Sequence, residues 1–164
     1  MAKLQTDQPL LSSILDRLID EQPGLNREPE QNRHQVIAEL RKSVRRDLEN
    51  LLNTRWRATS WPDDLTELDQ SLVGYGIPDI SGEDLGSPTR RRKFLKQVEQ
   101  VIQRFEPRFQ RVSVLELENA DSIDRTLRFR IDAVLYAVPS PEPIVFDSTL
   151  EPASKTFRVE RGER

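Results

Sequence analysis

Phe105-Glu106-Pro107-Arg108-Phe109 divides the chain into two parts of different character. Before it, apolar residues recur at helical spacing; after it, they alternate. Pro107 has no N–H to give a helix interior and pushes Glu106 toward extended geometry, so a helix must end here and a strand begin. Glu106 and Arg108 set opposite charges on either side of the break. They either tie the corner to its neighbours or serve a functional contact.

The helix entering the corner starts at Ser87-Pro88, a capping residue followed by proline in the first turn. Phe94, Leu95, Val98, Val101, Ile102 and Phe105 make its apolar face. Arg90, Arg91, Arg92 and Lys93 crowd its first turn, the unfavourable end of the helix dipole for cations, at about a few tenths of a kcal/mol each. Such a run is either a solvated face or a contact for an acidic partner.

Beyond the corner, Val112 to Glu118 reads as a short strand and Asn119 to Asp124 as a turn. Leu127, Phe129, Ile131, Ala133, Leu135 and Ala137 then alternate with Arg128, Arg130, Asp132, Val134 and Tyr136. One face of this strand meets the helices and the other is wet, as in an antiparallel sheet covered on one side. Pro139, Pro141 and Pro143 read as a stiff connector, and Ile144 to Leu150 and Thr156 to Glu160 as further strands.

Before the corner, Leu10, Leu11, Ile14, Leu15, Leu18 and Ile19 share one helical face, stopped by Pro23-Gly24. Residues 22–33 read as a linker. Asn32 and Gln35 have capping-box spacing, and Val36, Ile37, Leu40, Val44, Leu48, Leu51 and Leu52 trace a second stripe that fades near Asn53 to Arg55. From Ala58 to Ser87 the periodicity is lost. Leu65, Leu68, Leu72, Tyr75 and Ile77 predict that this loop packs, with a short helix over residues 63–69.

The expected fold is α+β: about three helices packed on one face of a small, mostly antiparallel sheet with an open edge. One domain is expected over residues 1–164, helical over 9–106 and β over 108–160, with 1–8 and 161–164 frayed. Apolar residues are 35% and charged residues 32% of the chain, and the net charge is −3. That balance gives no general attraction to nucleic acid or acidic membranes. There is no cysteine, so disulfides and thiolate metal sites are excluded. No apolar run approaches the roughly 20 residues that span a bilayer. The first residues lack a signal-peptide pattern, and a cytoplasmic location is expected.

Chemistry is sparsely signalled. His34 is the only histidine, and there is no G-x-S-x-G, Walker loop or G-x-G-x-x-G. No catalytic residue, cofactor or metal is expected. Glycoside hydrolysis needs only two carboxylates across a cleft, and Glu106, Asp79, Asp63, Asp64 and Asp47 can be nominated. Arg41 to Arg46, Arg55-Trp56-Arg57 and Arg90 to Lys93 are basic enough to grip phosphate, but the acidic balance and the lack of a known module oppose nucleic-acid binding. An unpaired sheet edge offers another function, accepting a strand from a second chain.

Five stretches carry a family resemblance: Leu11 to Asp20 (LSSILDRLID), Ser43 to Arg55 (SVRRDLENLLNTR), Ser71 to Ile80 (SLVGYGIPDI), Phe105 to Phe109 (FEPRF) and Leu127 to Leu135 (LRFRIDAVL). In this order they resemble the TssE family, baseplate wedge subunits of the bacterial type VI secretion system, similar to the lysozyme-like wedge protein of contractile phage tails. The resemblance implies a structural, non-enzymatic role in a cytoplasmic baseplate. The implied partners are the wedge proteins TssF and TssG and the sheath subunits TssB and TssC, with TssK a further candidate and strand sharing the link to the sheath. It implies an assembly role for Glu106, Pro107 and Arg108, so that Glu106→Ala or Arg108→Ala should leave a folded chain that assembles poorly. The alternatives are a peptidoglycan hydrolase and the equivalent wedge of a phage tail or related injection particle.

Overall fold

The computed structural model describes residues 14–19, 32–56, 62, 64–65, 67–68, 71–79, 85–119, 126–137, 140–151 and 153–162. Three α-helices occur among them: α1 (Ile14–Leu18), α2 (Arg33–Asn53) and α3 (Pro88–Phe105). Four strands follow, β1 (Phe109–Leu117), β2 (Leu127–Leu135), β3 (Glu142–Glu151) and β4 (Thr156–Arg161), forming one antiparallel sheet in the order β1-β2-β3-β4. The α+β class, the antiparallel sheet and its edge strands agree with the sequence. The three-helix layer is corrected to two long helices. Only five residues of α1 lie among those described, and its Leu15 and Leu18, like Ile19 beyond its end, stay exposed rather than packing on the sheet.

The capping box forms as its spacing predicts: the Asn32 side chain accepts from Gln35 N, and the Gln35 side chain accepts from Asn32 N. Ser87 starts α3 without a side-chain cap bond, so Pro88 alone marks that boundary. Helix α3 lies on β1 and α2 on β4. Between helices and sheet sit Val44, Leu48 and Leu52 of α2, Val98 and Ile102 of α3, and Phe129, Ile131, Phe146 and Val159 of the strands, all buried. Phe157 lies at the centre. Its ring centroid is 6.4 Å from that of Phe94, 6.1 Å from that of Phe129 and 5.7 Å from the Arg55 guanidinium.

The opposite face of the sheet carries no helix among the described residues. Arg130 and Asp147, cross-strand partners there, are joined by two hydrogen bonds of 2.7 and 3.1 Å. Asp147 holds the Arg130 guanidinium above its ordinary pKa.

Two strand boundaries correct the sequence reading. Pro143 belongs to β3, opposite Val134, rather than to a connector. By the alternation along β3 its missing N–H faces the β4 side, where the described pairing ends with Gly162 N on Val145 O, so no described ladder bond is lost. Arg161 is not frayed: β4 includes it, and Gly162 N continues the pairing to Val145 O at 3.0 Å.

The loop after α2 packs through fewer residues than predicted. Ile77 is fully buried and Tyr75 packs on the core, whereas Leu65 is exposed and Leu72, in a 3-10 turn (Leu72–Gly74), is 88% exposed. The short helix expected over residues 63–69 lies partly outside the described residues. Those described form successive turns, Leu65 N to Pro62 O and Leu68 N to Leu65 O, each at 3.0 Å. Trp56 N donates to Ile77 O and Ile77 N to Thr54 O, both at 2.9 Å, stitching the loop to the end of α2. Gly76 makes this possible. Its φ is +111°, and a Cβ there would lie 2.5 Å from Thr54 O. Gly76→Ala should therefore cost about 1–3 kcal/mol for the backbone conformation alone, with the clash in addition. A urea unfolding midpoint equal to that of the unmodified chain would contradict this.

Candidate functional site

The corner behaves as its proline dictates. Glu106 N closes the last turn of α3 on Ile102 O at 2.9 Å, and Glu106 itself leaves the helix at φ −114° and ψ 83°. Phe109 N then turns back to Glu106 O at 3.2 Å, and Arg108 O accepts from Tyr136 N at 2.9 Å as the sheet begins. Pro107 stands exposed at the tip.

The flanking charges turn inward. Glu106 is only 5% exposed. Its carboxylate takes a fork from Arg108, with Nε to Oε1 at 2.6 Å and Nη2 to Oε2, and accepts from Arg108 N at 3.2 Å. The same guanidinium reaches α2, donating from Nη1 to Ser43 Oγ at 3.0 Å and from Nη2 to Asp47 Oδ2 at 2.7 Å. Ser43 Oγ donates to Asp16 Oδ2 of α1, and Asp16 also accepts from Arg46 Nη2 at 2.7 Å. Arg46 returns to Asp47 at 3.0 Å. Two arginines thus sit among three carboxylates and one hydroxyl, binding α1, α2, α3 and β1 at one point.

Burial opposes the charge on Arg108, yet Glu106 and Asp47 outweigh it and hold the guanidinium above its ordinary pKa. Arg46 is raised too, chiefly by its hydrogen bond to Asp16. Tyr75 sits edge-on to Phe105 with ring centroids 5.3 Å apart. Burial, with the charges of Asp47 and Glu106, pushes its phenol above the usual value.

Four of the five sequence stretches meet here. LSSILDRLID supplies Asp16, SVRRDLENLLNTR supplies Ser43, Arg46 and Asp47, SLVGYGIPDI supplies Tyr75, and FEPRF supplies Glu106 and Arg108. The fifth, LRFRIDAVL, is β2. Sequence reasoning singled out Glu106, Pro107 and Arg108 but missed Asp16, Ser43 and Arg46. Spacing gives no signal for these, because Ser43 lies 65 residues from Arg108, and Asp16 lies 27 and 30 residues from Ser43 and Arg46.

The nominated catalytic carboxylates fall differently. Glu106 and Asp47 do come together, but around one guanidinium rather than across a cleft. Asp64 and Asp79 are exposed, and Asp63 lies outside the described residues. A depression of about 410 Å³ is lined by His34, Ile37, Ala38, Arg41, Glu142 and Arg161. Its one carboxylate, Glu142, is ion-paired with Arg41. The basic stretches are also engaged: Arg45 pairs with Glu49, Arg46 with Asp16, and Arg91 with Glu116. Among the described residues no group of three His, Asp or Glu side chains is placed to hold a metal, and no helix is long and apolar enough to cross a membrane.

The site is made of ion pairs that tie the corner to α1 and α2, with its proline at the surface. A family model described as baseplate wedge protein gp25 matches residues 38–140, from α2 through β2, and the chain belongs to that family. No curated protein and no solved structure matches it significantly. The family sets its role as a structural baseplate component that contacts other baseplate and tail parts.

Proposed function

We propose that the chain is a TssE-type wedge subunit of a type VI secretion baseplate, cytoplasmic, without chemistry of its own, joining the baseplate to the contractile sheath. The convergence of four motif stretches on one partly buried ion cluster around the buried Glu106 carries this reading, because such a cluster fixes shape and leaves a rigid exposed tip. Pro107 and the exposed Tyr136 present that tip to the wedge partners TssF and TssG, while Glu106 and Arg108 hold it in place from within. The antiparallel sheet, with no helix on one face among the described residues, joins the sheath subunits TssB and TssC by accepting a strand. TssK is a further candidate neighbour.

The test is co-expression with TssF, TssG, TssB and TssC, then affinity capture and size exclusion. The unmodified chain should co-elute with both pairs, and Pro107→Ala should lose TssF–TssG while keeping its melting temperature. Elution of the unmodified chain alone would refute the proposal. The family description favours a second reading equally, the same wedge role in a phage tail or related injection particle. Genes for tail rather than secretion components beside this one would select it.

A further inference from the structure

At one end of the molecule the core gives way to a charged recess. Successive residues of a strand alternate between faces, so Phe157, Val159 and Arg161 of β4 and Phe146, Ile144 and Glu142 of β3 all lie on the helix side of the sheet. In each row the first two are buried and the last is charged. Helix α2 changes in step. Val44 and Leu40 are buried, whereas His34, Ile37, Ala38 and Arg41, one stripe at helical spacing, line the depression of about 410 Å³ together with Glu142 and Arg161.

Donors in this recess outnumber acceptors. Arg41 Nη2 bonds Glu142 Oε1, the one carboxylate present. Arg41 Nε is enclosed and meets no acceptor. Arg108 and Arg130, by contrast, each set Nε on one oxygen and Nη2 on the other oxygen of a single carboxylate. Arg41 therefore holds half a fork. His34 and Arg161 are exposed, and among the described residues neither side chain has an ion pair or hydrogen bond. Two guanidiniums and an imidazole face one carboxylate, on a chain whose net charge is −3.

We infer that this recess is a docking site for a short acidic segment of a different protein chain, whose carboxylates engage Arg161 and His34 and whose aliphatic side chain covers Ile37 and Ala38. Arg41 gains an acceptor for Nε by turning toward the same carboxylates. Charge complementarity selects the occupant, because unfilled cationic donors are matched by carboxylates. The half-buried Ile37 and exposed Ala38 add an apolar contact that a free inorganic anion does not make, and the volume is that of sites taking several chemical groups. The recess shares no residue with the corner cluster, and the inference does not depend on which baseplate the chain serves.

The experiment is a magnetic-resonance titration of the isotope-labelled full chain, read at backbone amides and arginine Nε–H groups. The probes are the end-blocked peptides Gly-Asp-Leu-Asp-Gly and Gly-Asn-Leu-Asn-Gly, and inorganic phosphate. The Asp peptide should shift the Nε–H signals of Arg161 and Arg41 and the amides of Ile37 and Ala38 saturably, and the Asn peptide and phosphate should bind about tenfold more weakly or less, the worth of a hydrogen bond to a charged group. Arg161→Glu should keep its melting temperature, having no described partner to lose, and should weaken the Asp peptide by about tenfold or more. Arg158→Glu, the same charge change on the opposite face of β4, should weaken it by less than about twofold, since exposed charges at a distance are screened. No saturable shift with the Asp peptide, equal affinity for the Asn peptide, or equal losses in the two variants overturns the docking site. Phosphate binding as tightly as the peptide makes it a small-anion site and overturns the acidic segment. Recess signals that move with protein concentration when no peptide is present place a second copy there and overturn the choice of a different chain.

Discussion

Arg108→Ala should lower stability by about 3–5 kcal/mol, because it leaves the Glu106 carboxylate buried without a counter-charge. Among the described residues Glu106 receives its side-chain bonds from this one residue, through two guanidinium donors and the backbone N–H. The reciprocal Glu106→Ala should cost less. Arg108 would keep Asp47 at 2.7 Å and Ser43 at 3.0 Å, and its charge would stay neutralised. The single changes should therefore be unequal, and the double change should cost less than their sum, since the pair interacts directly. Adding Glu106→Gln to Arg108→Ala should recover part of the loss, an amide being cheaper to bury than a carboxylate. Arg108→Lys should fall between, because an ammonium does not reproduce the fork. Urea unfolding of these variants checks the order. An Arg108→Ala midpoint equal to that of the unmodified chain, or a costlier Glu106→Ala, would show that the cluster does not hold the corner. The sequence led us to expect Ala variants that fold and fail only in assembly. Burial adds a stability loss that is a large part of the roughly 5–15 kcal/mol typical of a domain, so assembly must be compared well below each variant's melting temperature.

Phe157→Ala should be as damaging for a different reason. The ring is fully buried between Phe94 and Phe129, and it lies on β4, which meets α2. Its removal leaves a cavity that rigid neighbours on three elements cannot collapse to fill, at about 3–5 kcal/mol. The melting temperature should fall by roughly 10 °C. Phe157→Leu keeps most of the volume and should cost less than half as much. The backbone bonds of this residue to Asn53 do not involve the ring, so the loss measures the ring's packing together with its contact to the Arg55 guanidinium. Equal melting temperatures for Phe157→Ala and Phe157→Leu would contradict this account.

What the sequence disclosed follows from how local each signal is. Pro107 acts on its own backbone, Asn32 and Gln35 act across three residues, and β2 declares itself by alternation; all three appear in the structure where expected. Leu72 failed because a leucine in a turn-rich stretch has no periodicity to say which way it faces, and it points to solvent. Pro143 failed because proline reads as a break unless the side of the ladder it faces is known. The helical face of Leu15, Leu18 and Ile19 was legible as a pattern, but a pattern does not supply the surface that covers it. The corner was half legible. Its proline and paired charges stood out, yet the direction of Glu106 depends on Asp47, Ser43 and Asp16, which only folding brings near.

The pairing of α2 with β4 has a consequence for synthesis. Asn53 and Phe157, which exchange two hydrogen bonds, are 104 residues apart in the chain. When α2 leaves the ribosome, the strand that covers its apolar stripe has not yet been made. The hairpins of β1 with β2 and β2 with β3 join neighbours in sequence and can form as they emerge. The stripe of Leu40, Val44, Leu48 and Leu52 must wait for the residues that follow it up to β4. The nascent protein therefore carries exposed hydrophobic surface over that stretch of its synthesis, and that interval is when it is most open to chaperones and to aggregation.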